Sequence, residues 1–112
     1  MPSQDEEFYR RLLATFKVEA AEHLQALADG LLALEKVEGL ADQTDIIETM
    51  FREAHSLKGA ARAVNLREIE TVCQPLESLL ASWKSDTLSP TPAMFDLVSR
   101  TINTLEHILS SN

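Results

Sequence analysis

The sequence predicts an all-α fold, an antiparallel up-down four-helix bundle. Apolar residues recur at helical spacing through four separate segments, and the connections between these segments are short. The composition agrees, because 45% hydrophobic and 5% aromatic residues, with three glycines and four prolines, suit a helical protein better than a sandwich or barrel. A chain of 112 residues can build one hydrophobic core, so we expect a single domain over residues 1–112.

The first helix is predicted over residues 5–37. Its apolar face begins at Phe8 and ends at Leu34. Acidic residues at positions 5–7 favour the first turn, because the helix dipole is positive there. Gly39 is the predicted stop signal, since glycine is common just beyond the end of a helix.

The second helix is predicted over residues 43–64, with Asp42 or Thr44 as its N-cap. Its apolar positions run from Ile46 to Val64. The same helix contains "FREAHSLKGAARAVNL", which places a histidine beside lysine and glycine. This helix therefore carries the main candidate site.

The third helix is predicted over residues 66–85, after Asn65, which tolerates a turn. Its apolar stripe has the clearest helical spacing in the chain. Pro75 interrupts this stripe, removes an amide donor and collides with the carbonyl of Thr71, so we expect a kink within one helix.

The fourth helix is predicted over residues 92–110. It follows a predicted loop, "SDTLSPTP", and Thr91 with Pro92 forms a suitable pair of N-cap and first-turn residues. No stretch of 18 apolar residues and no signal peptide occurs in the sequence, so we expect a cytoplasmic protein. The single cysteine, Cys73, excludes an internal disulfide and is predicted to be structural.

The net charge of −8 narrows the class of partner. An acidic protein repels phosphate backbones and anionic lipid, so neither nucleic acid nor a membrane surface is the expected partner. Three other classes of function are alternatives for a helical bundle. A di-metal carboxylate bundle needs Glu three residues before His, but Ala20, Arg52 and Thr104 occupy those positions, and we expect no metal site. A self-contained hydrolase lacks the necessary groups, whereas a passive docking or dimerisation bundle stays open.

The residues around His55 predict a phosphoryl acceptor. Arg52, Lys58, Gly59 and Arg62 stand at −3, +3, +4 and +7 from the histidine and share its helix face. A neutral imidazole has one nitrogen free to attack phosphorus, and a nearby cation can hold the transferred group. Glycine costs about 1 kcal/mol relative to alanine inside a helix, so its presence calls for a reason beyond folding.

The segment "AHSLKGAA", preceded by "MFREA" and followed by "NLREIETVCQPLESLL", closely resembles histidine phosphotransfer (HPt) domains, particularly those at the N-terminus of CheA-type chemotaxis kinases. The segments "FYRRLLATFKVEAAEHL" and "LSPTPAMFDLV" extend the resemblance over nearly the whole chain. It implies an HPt-like bundle, with at most a fifth, C-terminal helix missing. It also implies that the chain, which would have no catalytic activity alone, is a domain of a larger protein-histidine kinase. The alternative is a stand-alone HPt protein of a hybrid-kinase relay.

The resemblance further implies roles for individual residues. His55 accepts a phosphoryl group on Nε2 from a kinase ATP-binding domain and passes it to an aspartate on a response-regulator receiver domain. Lys58 helps to hold that group, and Glu77 accepts a hydrogen bond from Nδ1 of the histidine. ATP and Mg²⁺ are supplied by the partner domains, and the isolated domain is expected to be a monomer. The candidate docking residues are Arg52, Gly59, Arg62 and Gln74.

Overall fold

The computed structural model describes residues 3–85 and 90–111, and these residues form four helices without any strand among them. The predicted all-α class is confirmed, and every predicted helix end lies within three residues of the observed one. Residues 86–89 of the predicted loop "SDTLSPTP" lie outside the described residues. The helices are α1 (Gln4–Lys36), α2 (Leu40–Ala63), α3 (Arg67–Lys84) and α4 (Pro92–Ser111).

Each helix packs against its neighbours in sequence, and α4 closes the bundle against α1. The neighbours are antiparallel. The Tyr9 hydroxyl near the start of α1 donates to the Val64 carbonyl just beyond α2, and Trp83 near the end of α3 contacts Phe95 near the start of α4. The bundle measures 57 × 21 × 20 Å, so its length follows that of α1.

One apolar core runs through the bundle. It receives side chains from all four helices, and no polar or charged residue is buried among the described residues. This arrangement follows from the helical spacing of the apolar residues, which brings one stripe of each helix to the centre. The largest fully buried side chains are those of Trp83, Leu27, Met50, Leu57, Ile69, Leu80 and Leu105.

The start of α2 differs from the prediction. The helix begins at Leu40, and Gly39 is its N-cap with an extended backbone and no side-chain hydrogen bond. Neither Asp42 nor Thr44 is the cap, because both residues already lie within the first turns. Gly39 therefore closes the short connection from α1 and opens α2, rather than serving only as a stop signal.

Other helix ends agree with the local signals. Asn65 has a φ of 62°, a left-handed conformation that allows the tight turn between α2 and α3. The Met94 amide donates to the Thr91 hydroxyl at 3.3 Å, so Thr91 caps α4 as predicted. The α3 helix continues through Pro75 as one element, which keeps α2 and α3 side by side on both sides of the proline. None of the described helices is long and apolar enough to span a membrane.

Candidate functional site

His55 lies on the part of α2 that faces α3, at the edge of the bundle. Its neighbour Ala54 is fully buried, whereas 64% of the His55 side chain is exposed. The imidazole Nδ1 lies 2.7 Å from Oε1 of Glu77, which α3 contributes. With the proton on Nδ1, this nitrogen donates to the carboxylate and leaves Nε2 as the ring nitrogen available for chemistry.

Glu77 joins the histidine to a lysine. Its second oxygen, Oε2, lies 2.6 Å from Nζ of Lys58, and the same ammonium donates to Oε1 of Gln74 at 3.1 Å. The two helices thus bring together His55, Lys58, Gln74 and Glu77, although 22 residues separate the histidine from the glutamate. Pro75 does not prevent this, since α3 presents Gln74 and Glu77 to α2 from either side of the proline.

The ionisation of Glu77 reflects these contacts. Burial alone raises its pKa, because only 12% of the side chain is exposed and the charged form loses solvation. Hydrogen bonds from Lys58 and His55, together with the positive charges of these groups, outweigh burial and hold the pKa of Glu77 below its usual value. The carboxylate is therefore charged at neutral pH and can stabilise positive charge on the imidazole.

Gly59 faces open space. Apart from the backbone of its own helix, a Cβ atom built at this position would meet no atom of the described residues within 4 Å. Packing within the chain consequently gives no reason for glycine here, although glycine weakens a helix. The lack of a side chain leaves the surface next to His55 clear for an approaching molecule.

The two arginines on this face do not contact the histidine. The Arg52 guanidinium donates to Glu48 at 2.7 Å, and Arg62 Nε lies 2.8 Å from Glu70. The basic patch expected from α2 is therefore balanced by carboxylates from α2 and α3. The spacing along α2 could have indicated Glu48, which precedes Arg52 by four residues, but Glu70 is on another helix.

Sequence reasoning missed two residues next to the histidine. Phe51 stacks on His55 with 6.2 Å between ring centroids, and Nζ of Lys84 lies 5.2 Å from the centre of the Phe51 ring. Phe51 belongs to the apolar stripe of α2, and its place four residues before His55 indicates a contact between the two side chains. Lys84 gave no sequence signal, because its position depends on how α3 lies against α2.

A second histidine also contacts a glutamate, but in different surroundings. His23 Nδ1 lies 2.5 Å from Oε2 of Glu53, so this side chain bridges α1 and α2. Its side chain is 26% exposed, and the residues three and four positions later are Ala26 and Leu27 in place of lysine and glycine. A carboxylate partner alone is thus common to both histidines, while the neighbouring cation and the clear approach belong to His55.

His107 and Cys73 have no such surroundings. His107 is exposed on α4, and its carbonyl accepts hydrogen bonds from Ser110 and Ser111. Cys73 is fully buried, and burial first and the charge of Glu77 second raise the pKa of its thiol to about 12. Residues 3–85 and 90–111 contain no cluster of three His, Cys, Asp or Glu side chains that could hold a metal ion.

Comparisons with known proteins agree with this geometry. The family model described as Hpt domain matches residues 11–110. The chain is 32% identical over 101 residues to chemotaxis protein CheA of Listeria monocytogenes, covering 88% of this chain and 16% of that protein. It is 30% identical over 101 residues to chemotaxis protein CheA of Bacillus subtilis, covering 88% and 14%.

A solved structure is similar over almost the whole chain. The CheA phosphotransferase domain from Thermotoga maritima superposes with a TM-score of 0.81 at 26% identity, covering 98% of this chain and 97% of that domain. The chain therefore covers nearly all of that solved domain, but only about a sixth to a seventh of the length of the two CheA relatives reported above.

Proposed function

Because the chain belongs to the Hpt domain family, we propose that His55 is its phosphoacceptor. A kinase ATP-binding domain phosphorylates Nε2, and a receiver domain of a response regulator takes the phosphoryl group onto its own aspartate. One observation carries the proposal. Of the histidines described, His55 alone combines an exposed ring, a charged carboxylate on Nδ1 and a lysine on that same carboxylate.

The two transfers balance as displacements at phosphorus. The Nε2 lone pair forms a bond to the γ-phosphorus as the bond to the bridging oxygen breaks, and that electron pair leaves with ADP. The Nδ1 proton stays on the ring, where Glu77 accepts its hydrogen bond and stabilises the phosphorylated, positively charged imidazole. In the second transfer, an aspartate oxygen of the receiver bonds to phosphorus, and the electron pair of the broken N–P bond returns to Nε2.

Lys58 is suited to hold the transferred group. It lies one helical turn from His55, and its flexible stem allows the ammonium to move from Glu77 towards phosphoryl oxygens. Gln74 limits where that ammonium can lie, because its side-chain oxygen accepts from the same Nζ. Phosphoryl transfer depends mainly on placement and charge. The domain therefore needs to supply only these side chains, while its partners supply ATP and Mg²⁺.

The setting of the domain is also part of the proposal. Its similarity to two chemotaxis proteins favours a CheA-type kinase in the cytoplasm as the parent, with kinase and receiver domains as partners. Gly59 leaves room for those partners, and Arg52 and Arg62 provide charge at the edge of the same face. We expect the isolated domain to be a monomer, since its core is buried within one chain.

Replacement of the histidine tests this function. His55→Gln should abolish labelling by radioactive ATP and a cognate kinase ATP-binding domain, whereas His23→Gln should keep wild-type labelling. His23 is the matched control because it also contacts a glutamate. The label should be acid-labile and base-stable, as expected of phosphohistidine. Labelling retained by His55→Gln would overturn the assignment, and a chain that accepts no label would favour a passive docking module.

A further inference from the structure

The ring of Phe51 lies against the imidazole of His55. The two residues are one helical turn apart on α2, which puts them on the same face. Their ring planes differ by 14° and their centroids are 6.2 Å apart, an offset-stacked arrangement within the range of aromatic pairs. Phe51 is half-buried against the core, so its own position is restrained from below.

A single hydrogen bond does not fix the plane of an exposed imidazole. The bond between Nδ1 and Glu77 places one ring atom, but the ring can still turn about the line that joins the two partners. The stacked ring of Phe51 restricts this rotation, because the offset-stacked arrangement seen here is one of the arrangements that aromatic pairs prefer. The direction of Nε2 is thus determined by two contacts, one from α2 and one from α3.

Lys84 contacts the ring of Phe51 from α3. It is the last residue of α3, and its Nζ lies 5.2 Å from the Phe51 ring centroid, within cation–π range. Its charge also acts on Glu48 of α2. The pKa of Glu48 is lowered mainly by Arg52 and to a smaller extent by Lys84. Lys84 thus acts on two side chains of α2, on the Phe51 ring by contact and on the Glu48 carboxylate through its charge.

We propose that Phe51 is a positioning residue for phosphotransfer, which holds the His55 ring so that Nε2 meets the phosphorus in line, and that Lys84 supports it by restraining the Phe51 ring. This inference rests on the proposed function of His55. Phe51 has no group that can carry a proton or hold a phosphate, so it acts through the orientation of the imidazole. In-line placement is the main requirement of phosphoryl transfer.

Substitutions at Phe51 test the orientation directly. Phe51→Leu keeps an apolar side chain but removes the flat face, and it should lower the maximal rate of phosphorylation by the kinase domain about threefold to tenfold. The half-saturating concentration should stay unchanged, because docking is not affected. Phe51→Tyr should restore the rate. Phe95→Leu is the control, since Phe95 is also half-buried but contacts Trp83 instead of His55.

Two further measurements separate orientation from folding. Phosphoramidate is a small donor that needs no docking. It should label Phe51→Leu at the wild-type rate, because a small donor can reach Nε2 in any orientation of the ring. The His55 ring protons should shift in the NMR spectrum of Phe51→Leu but not of Phe51→Tyr. Lys84→Met, at an exposed position, should lower the kinase-dependent rate about twofold, and Lys84→Arg should not.

The outcomes distinguish this inference from the proposed function. An unchanged kinase-dependent rate in Phe51→Leu, with normal labelling of the wild type, would overturn the positioning role alone. An equal loss with phosphoramidate would also overturn it, because Phe51 would then act on the fold or on the reactivity of the nitrogen. A wild-type chain that accepts no label from the kinase would overturn both.

Discussion

The carboxylate of Glu77 contacts His55 and Lys58 at once, and its charge therefore affects both side chains. One oxygen lies 2.7 Å from the imidazole and the other 2.6 Å from the ammonium. The carboxylate is largely buried, which raises its pKa, yet the pKa is lowered overall, because the hydrogen bonds and charge that Lys58 and His55 provide outweigh the loss of solvation. At the scale of single residues, one carboxylate thus pairs with Lys58 and also orients the imidazole of the proposed phosphoacceptor.

The lowered pKa of Glu77 predicts a pH-dependent contribution to stability. A group whose pKa is depressed by folding stabilises the native state above its usual value, here 4.5, and loses that effect as the pH falls through the folded-state value. Glu77→Gln should therefore lower the free energy of unfolding by about 1 to 3 kcal/mol at pH 7 and by much less at pH 3. Urea denaturation at both pH values measures the difference.

A matched carboxylate provides the control for this experiment. Glu70 pairs with Arg62, whose side chain is 79% exposed, so Glu70→Gln should change the free energy of unfolding by about 1 kcal/mol or less. If the loss caused by Glu77→Gln is the same at pH 7 and pH 3, the charge of Glu77 does not contribute as described.

Two helices of the bundle contain a glycine away from their ends, and the two residues have different reasons to be there. Gly30 lies on α1 where this helix approaches α2, and a Cβ atom at Gly30 would come within 2.6 Å of Cγ of the buried Met50. Gly59 on α2 would meet nothing. At the scale of the elements, Gly30 allows α1 and α2 to pack closely, while Gly59 leaves the surface beside His55 open.

Alanine at the two glycines should have opposite effects on stability. Gly59→Ala should raise the free energy of unfolding by about 1 kcal/mol, because alanine favours the helix and has space. Gly30→Ala should lower it by about 1 kcal/mol, since the overpacking against Met50 exceeds the gain in helix propensity. Thermal and urea unfolding of the two variants provides the comparison, and a stabilising Gly30→Ala would contradict the close approach of α1 and α2.

The whole molecule is an elongated bundle with one continuous core. Side chains from all four helices meet in this core, and the described residues bury no polar or charged residue. The candidate site residues lie at the edge of this core, on α2 and α3, which pack on each other. The bundle thus supports the proposed site at its surface, where the ring of His55 is exposed.

A single core predicts cooperative unfolding. Trp83 is the one tryptophan of the chain and is buried in α3, so its fluorescence reports on the core. The thermal transition followed by this fluorescence should coincide with that followed by far-UV circular dichroism, which reports on all helices. Two separate transitions would show that part of the bundle unfolds on its own.

The periodicity of apolar residues was enough to predict four helices and their order, because it records which side of each helix avoids water. The same pattern placed His55, Lys58 and Gly59 together on α2, since residues three and four apart share a helix face. It could not provide the cap at Gly39, where the backbone of a short connection leaves Asp42 and Thr44 inside the helix.

Contacts between helices depend on register and side-chain conformation, which local spacing does not contain. The pairing of Glu77 with both His55 and Lys58, implied in part by family resemblance, requires α3 to lie at one height against α2. The same register puts Lys84 over Phe51 and lets Glu70 neutralise Arg62. These contacts orient the imidazole of His55 and pair the cations around it. Only the tertiary structure decides them, because each one joins atoms from distant parts of the chain.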